Sequence, residues 1–329
     1  MHFPNRYLIV AAMGAAMMII CQCGFEPEWG DPYEEDQWDL LDKNSGLSSN
    51  QIMSLKADSE GNIWVGSWDN GLMRYDGEGW TYFTERDGLP DFTIFAIEED
   101  SNGDILLGTF LGLSVFNGSR FTNYLFGQEY FPINDIHLAE NQSVWMATAG
   151  FGLVEISDQF KQYFLNSKPE SFMVNSITED IHNVIWAGTA GGVLKISGSR
   201  VDYLTESDGL TGENVTAIAA DTWGDVWLGI WAAENVLRYD QNSFEEVNLY
   251  NAYPDVGVNY IFEDSRENIW FALERAGVVK YDGSTMRTYR DVDGLPSNSI
   301  NCIEEDLEGN IWFGSDEHGL ARFKPGNHR

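Results

Sequence analysis

The tetrapeptide Gly-Asn-Ile-Trp stands at Gly61–Trp64 and again at Gly309–Trp312, with five looser copies between. The anchor position is Trp64, Leu106, Trp145, Trp186, Trp227, Trp270 and Trp312, at spacings of 42, 39, 41, 41, 43 and 42 residues. A period of about 40–45 residues with recurring Gly and Trp marks one four-stranded blade per repeat. No blade buries both faces alone, so the copies must stack and close into a ring. The expectation is an all-β fold, a single seven-bladed β-propeller over residues 37–329.

The register inside the repeat is tight. Two apolar marks of the first strand recur as Ile52/Leu55, Ile94/Ile97, Ile133/Ile136, Val174/Ile177, Val215/Ile218, Val258/Ile261 and Ile300/Ile303. Two residues after each anchor only Gly or Ala occurs: Gly66, Gly108, Ala147, Gly188, Gly229, Ala272 and Gly314. A position restricted to small residues implies close approach of the neighbouring blade. The turn acids Asp58, Asp100, Asp180, Asp221, Asp264 and Asp306 open the turn before the anchor, with Ala139 in the third blade. Asp58-Ser-Glu-Gly61-Asn62 superficially resembles a calcium loop. An Asp accepting from backbone N–H groups two residues on explains the recurrence better, so no cofactor is expected and calcium is only weakly supported. The Trp anchors read as core residues.

The seventh repeat supplies three strands before the sequence stops. Trp38-Asp-Leu-Leu41 followed by Ser45-Gly46-Leu47 copies Trp80-Thr-Tyr-Phe83 followed by Asp87-Gly88-Leu89. The N-terminal strand is expected to complete the last blade and cover its open edge.

Residues 1–23 read differently. Arg6 precedes an apolar run, Tyr7–Ile20, then Cys21-Gln22-Cys23. This matches a bacterial export signal and is short for a membrane span of about 20 residues. The two cysteines suggest lipidation, at Cys21 or alternatively Cys23, although neither follows the small residue that a lipobox wants. Residues 24–36 are acidic, carry Pro27 and Pro32, and read as a tether. The expected location is therefore the cell envelope, periplasmic or on the outer-membrane surface, with membrane contact only through a lipid anchor. Cys302, the one cysteine of the body, lies in a strand pattern and reads as a small core residue.

Lys and Arg total 19 against 52 Asp and Glu, a net charge of −33. That field repels phosphate backbones, so nucleic acid is not an expected partner. The excess reads as solubility, with cation binding as the sharper alternative.

The run Asp58–Gly66, then Gly71-Leu-Met-Arg-Tyr-Asp-Gly77, Trp80–Phe83 and Asp87-Gly-Leu-Pro90, resembles the two-component regulator propeller repeat. Asp293–Asn298 and Glu305–Gly314 repeat it, and the likeness extends over residues 37–324. The resemblance implies a periplasmic sensor-type propeller, of the kind found in hybrid histidine kinases of carbohydrate-degrading bacteria, and hence ligand sensing, commonly of glycans. The sequence shows one ring and no sandwich, kinase or DNA-binding segment, so kinase chemistry does not carry over.

One propeller face carries the loops between second and third strands together with the links between blades. Its sequences vary most, which makes it the expected binding face. Blades 5, 6, 7 and 1 offer Trp231, Glu234, Asn235, Glu274, Arg275, Asp316, Glu317, His318, Trp68, Asp69 and Asn70 there, whereas blades 2 to 4 offer mostly Phe, Leu, Ala and Gly. Trp68 and Trp231 are the expected stacking platforms. Asp69, Asn70, Glu234, Arg275, Glu317 and His318 are the expected polar contacts. The links between blades add Glu129, Tyr130, Phe131, Tyr250 and Tyr253 as secondary candidates. An ordinary polar loop surface with two exposed Trp is the alternative.

Catalysis is poorly supported. Of the five histidines, His2 and His328 lie in the signal and tail, and His137, His182 and His318 show no HxH or HExxH spacing. No nucleophile elbow or phosphate loop occurs. The expectation is a monomeric, non-catalytic envelope module binding a glycan or other small polar ligand. The alternatives are a scaffold for an envelope protein, and behind it an enzyme: a lyase resembling the streptogramin lyases, with His318 as acid or base, or a glycosidase whose carboxylate pair only three dimensions would define.

Overall fold

Each repeat folds as four antiparallel strands paired in chain order, and seven such sheets are present. The computed structural model describes residues 36–127, 130–165, 167–231, 236–249 and 256–326, and the propeller occupies Gln37–Pro325. Blade 1 comprises Ile52–Ala57, Ile63–Ser67, Leu72–Tyr75 and Trp80–Phe83. Its second strand, Ile-Trp-Val-Gly-Ser, is buried throughout. An unbroken run of this kind suits a strand with a neighbour on each face.

The innermost strands are Ile52–Ala57, Ile94–Glu99, Ile133–Leu138, Val174–Glu179, Val215–Ala220, Val258–Glu263 and Ile300–Glu305. They contact one another in ring order, the last meeting the first. The small residues two places after the anchor allow this. A Cβ on Gly108 would lie 2.7 Å from the Ile133 carbonyl, and one on Gly229 2.7 Å from Val258 Cβ. The contact is to the next blade's first strand in both cases.

The ring closes as the split repeat implies. Gln37–Leu41 pairs antiparallel with Leu320–Lys324, setting Trp38 opposite Phe323. The Trp38 ring lies 4.6 Å from Phe323 and 5.7 Å from Tyr289, between blades 6 and 7. Asp39 accepts from Arg322 at 2.6 Å and Lys324 at 2.8 Å. Blade 7 comprises Ile300–Glu305, Ile311–Ser315, Leu320–Lys324 and the N-terminal strand.

Cys302 is buried and free, and burial pushes its thiol pKa up. The signal segment, with Cys21 and Cys23, and the tether up to residue 35 lie outside the described residues.

Candidate functional site

A register shift recurs at the start of every innermost strand, between its first and third residues. A bulge re-aims the residue it displaces. That residue is Met53, Phe95, Asn134, Asn175, Thr216, Asn259 or Asn301 in the seven blades. All seven line one axial cavity of about 340 Å³.

The polar members are tied down. Asn134 Nδ2 donates to the Val174 carbonyl at 2.8 Å, Asn175 to Val215 at 2.7 Å, Asn259 to Ile300 at 2.9 Å and Asn301 to Ile52 at 2.9 Å. Thr216 Oγ1 donates to Val258 at 2.7 Å. Each bond joins a blade to the next, so five side chains stitch the innermost strands that have no ladder between them. Met53 and Phe95 interrupt the belt and give the cavity an apolar sector.

A second tier lies below. Asp135 accepts from the Ile136 and Ile177 amides at 2.9 and 2.8 Å, and burial raises its carboxyl pKa to about 7 against those bonds. Lys56 pairs with Glu98 at 2.7 Å. Burial opposes the Lys56 charge, but Glu98 and Glu304 hold its pKa above the usual lysine value. Burial also raises Glu304 to about 7, with Lys56 acting in opposition. His137 approaches Glu179 at 3.5 Å, yet burial holds its pKa down.

The expected rim residues fall into three groups. Trp68 is 43% exposed, and its ring meets Phe95 and Phe110 edge-on at 5.8 Å each. It thus stands beside the apolar sector of the axial cavity. Its neighbours in the loop have local partners: Ser49 Oγ donates to Asp69, and Asn70 Nδ2 donates to the Ser48 carbonyl at 2.9 Å.

Trp231 is 49% exposed. A Cβ on Gly257 would lie 3.1 Å from its ring and 3.6 Å from Glu274 Oε2. Arg275 Nη2 donates to Glu274 Oε1 at 2.9 Å, so Trp231, Glu274 and Arg275 form one patch across blades 5 and 6. His318 belongs elsewhere. It lines a cleft of about 360 Å³ with Leu40, Leu41, Asp42, Asn44, Ser45 and Pro296, at the closing seam. Glu317 is exposed beside it. Glu234 and Asn235 lie outside the described residues, as do Glu129, Tyr250 and Tyr253. Tyr130 is 62% exposed, whereas Phe131 is a core residue stacked on Phe151 at 4.5 Å.

Sequence reasoning missed the axial ring. The available signal was the residue after the first apolar mark, which is Asn in four blades and Thr in a fifth.

On the opposite face a carboxylate at the end of one innermost strand holds the turn of the preceding blade. Glu99 accepts from the Ser59 amide and hydroxyl at 2.7 Å each, and Glu305 from those of Ser265 at 2.6 and 2.7 Å.

The two-component regulator propeller family matches this chain at residues 46–69 and 294–317, which bracket blade 1 and blade 7 loops of the same register. Two segments of this chain match the two-component regulator propeller repeat. This propeller is similar to the extracellular domain of a hybrid two-component system of B. thetaiotaomicron, at 22% identity and a TM-score of 0.75. The alignment covers 88% of this chain and 41% of that one, so the propeller spans about two-fifths of that sensor domain. It is also similar to virginiamycin B lyase from Staphylococcus aureus, at 13% identity and a TM-score of 0.73, covering 88% and 99% of the two chains. PorZ, a surface component of the type-IX secretion system of Porphyromonas gingivalis, matches at 17% identity and a TM-score of 0.67, over 86% and 47%. At these identities the likenesses establish the fold. No curated protein sequence matches the propeller.

Proposed function

We propose that this propeller is an exported, lipid-anchored binding module, sensor-like and non-catalytic, that takes a glycan or other small polar ligand on the face of blades 5, 6, 7 and 1. The lipid would be attached at Cys21. The observation that carries the reading is the rim geometry. Trp68 presents a half-exposed ring braced by Phe95 and Phe110, and Trp231 presents another beside the Glu274–Arg275 pair. Aromatic faces with a few placed polar groups suit a ring-shaped polar ligand. The likeness to extracellular sensor domains supports the same reading. A glycan array probed with the propeller tests it. Binding that Trp231→Ala abolishes is the expected result, and an array without any bound glycan would count against the ligand class.

A scaffold role is the second reading, favoured by one observation. On the opposite face Trp223 is 72% and Ile181 58% exposed, at neighbouring turns of blades 5 and 4. Grouped exposed apolar side chains are a feature of protein-contact surfaces.

A further inference from the structure

We propose that the axial cavity is a second binding site, for a small cationic amine whose ammonium sits among the side-chain oxygens of Asn134, Asn175, Asn259 and Asn301. Its apolar flank would lie against Phe95 and Met53.

The amides are pre-oriented for this. Each Nδ2 is committed to the next blade's carbonyl at 2.7–2.9 Å, which fixes the plane of the amide. Among the described residues no donor reaches the four Oδ1 atoms, and the residues line the cavity. Four amide acceptors thus belong to the wall of one cavity. Tyr260 adds a hydroxyl that has no hydrogen-bond partner among the described residues. Its ring packs on the core between blades 6 and 7, and the remainder opens into the cavity. Tyr260 is partly buried, so its hydroxyl, unpartnered at the wall of the cavity, is open to a ligand or water.

The sign of the field selects the ligand's charge. Of the titratable groups, Asp135 from blade 3, Tyr260 from blade 6 and Cys302 from blade 7 line the cavity, while Lys56 from blade 1, Glu98 from blade 2, His137 from blade 3 and Glu304 from blade 7 stand two residues further along the same innermost strands. Blades 4 and 5 contribute only neutral Ser176, Thr178, Thr216 and Ala219. Three carboxyls thus face one ammonium, and that ammonium is already paired with Glu98. The net charge of −33 adds to the negative potential, which a low-dielectric channel focuses. An anion is excluded on this ground, and a neutral polyol leaves the field uncompensated. Phe95 supplies an aromatic face of the kind that attracts cations. The volume of about 340 Å³ admits one ring or a short chain, at the lower end of ligand cavities of about 300–1,000 Å³.

Three probes of one shape and different charge test the proposal: 2-phenylethylamine, 2-phenylethanol and phenylacetate, titrated calorimetrically into the propeller, whose ring closes within Gln37–Pro325. The amine should bind, the alcohol about tenfold more weakly or worse, and the acid not at all. Tyr260→Phe should weaken amine binding about fivefold with an unchanged melting temperature, and Trp231→Ala on the rim should leave it unchanged. Amine affinity should rise from pH 6 to pH 8 as Asp135 and Glu304 ionise. Equal binding of amine and alcohol would overturn the proposal, as would D-glucose binding where the amine does not. Sensitivity to Trp231→Ala without sensitivity to Tyr260→Phe, or no binding by any probe, would also overturn it. The glycan-array outcome for the rim is independent of all four.

Discussion

The indole Nε1 of Trp64 donates to Asp58 Oδ2 at 2.7 Å, across the turn that precedes the second strand of blade 1. The same bond recurs at 2.8 Å in Trp186–Asp180, Trp227–Asp221, Trp270–Asp264 and Trp312–Asp306. The other oxygen of each Asp accepts from the turn's backbone amides, as Asp58 does from Glu60 and Asn62. The acid therefore binds the turn to the core. Where the repeat departs, the partner changes with it. Blade 3 has Ala139, and Trp145 donates to Ser143 at 3.0 Å instead. Blade 2 has Leu106 in place of the indole, and Asp100 holds only its turn.

This contrast yields a stability prediction. Asp264→Ala leaves the fully buried Trp270 indole and two turn amides without acceptors, and should cost about 3 kcal/mol. Asp100→Ala removes the turn contacts alone and should cost about 1 kcal/mol. Denaturant unfolding curves read both, and equal midpoints for the two variants would contradict the assignment.

Ring closure gives a second. Trp38 is partly buried among Tyr289, Phe313 and Phe323, so Trp38→Ala should destabilise by about 2 kcal/mol, below the range for full burial. Removing residues 24–42 should lower the melting temperature of the entire propeller. Asp39 adds an acid-side contribution. Hydrogen bonds from Lys324 and Arg322 hold its pKa below the usual value, so its stabilisation is present above about pH 4 and lost as pH falls through the lowered folded pKa. Asp39→Asn should shift acid unfolding to higher pH. A truncation that melts like the parent would remove the closure scheme.

The axial carboxyls act in the opposite direction. Glu304 titrates near 7 in the fold and near 4.3 in an unfolded chain. Between those values the folded state holds the extra proton, so this group's effect on stability worsens as pH rises from about 4 to 7 and is level above. Glu304→Gln keeps the shape without the charge. It should be more stable than the parent at pH 8, with the gap narrowing towards pH 5. Thermal melts across that range decide, and a gap that is constant with pH would contradict the burial of an ionisable Glu304.

Much of this architecture was legible in the sequence because it is repeated. Seven copies of the anchor position and the small residue, and six of the turn acid, fix blade number, strand order and the closing strand, since a ring has only one way to use a split repeat. The axial site was not legible for a physical reason. The bulge that aims Asn134, Asn175, Asn259 and Asn301 at the axis is a backbone irregularity, and their hydrogen bonds cross between blades, 40 or 41 residues apart for the first three and 249 for Asn301 at the closure. The rim was legible in composition and less so in geometry. Trp231 and Arg275 meet through Gly257 and Glu274, whereas His318 turns to the seam.

Lipid attachment is tested separately. Cells expressing the full chain should incorporate a fatty-acid analogue into it, and Cys21→Ser should abolish the label. Equal labelling after replacing both Cys21 and Cys23 by Ser would rule the anchor out.

The most direct measurement is the affinity of a ligand found on the glycan array for three variants of the propeller. Trp231→Ala and Arg275→Ala should each weaken it about 5- to 150-fold, the effect of losing about 1–3 kcal/mol, with little change in melting temperature. Phe151→Ala, on the apolar side of the same face, should matter less. Unchanged affinity in both Trp231→Ala and Arg275→Ala would contradict the rim as the binding site.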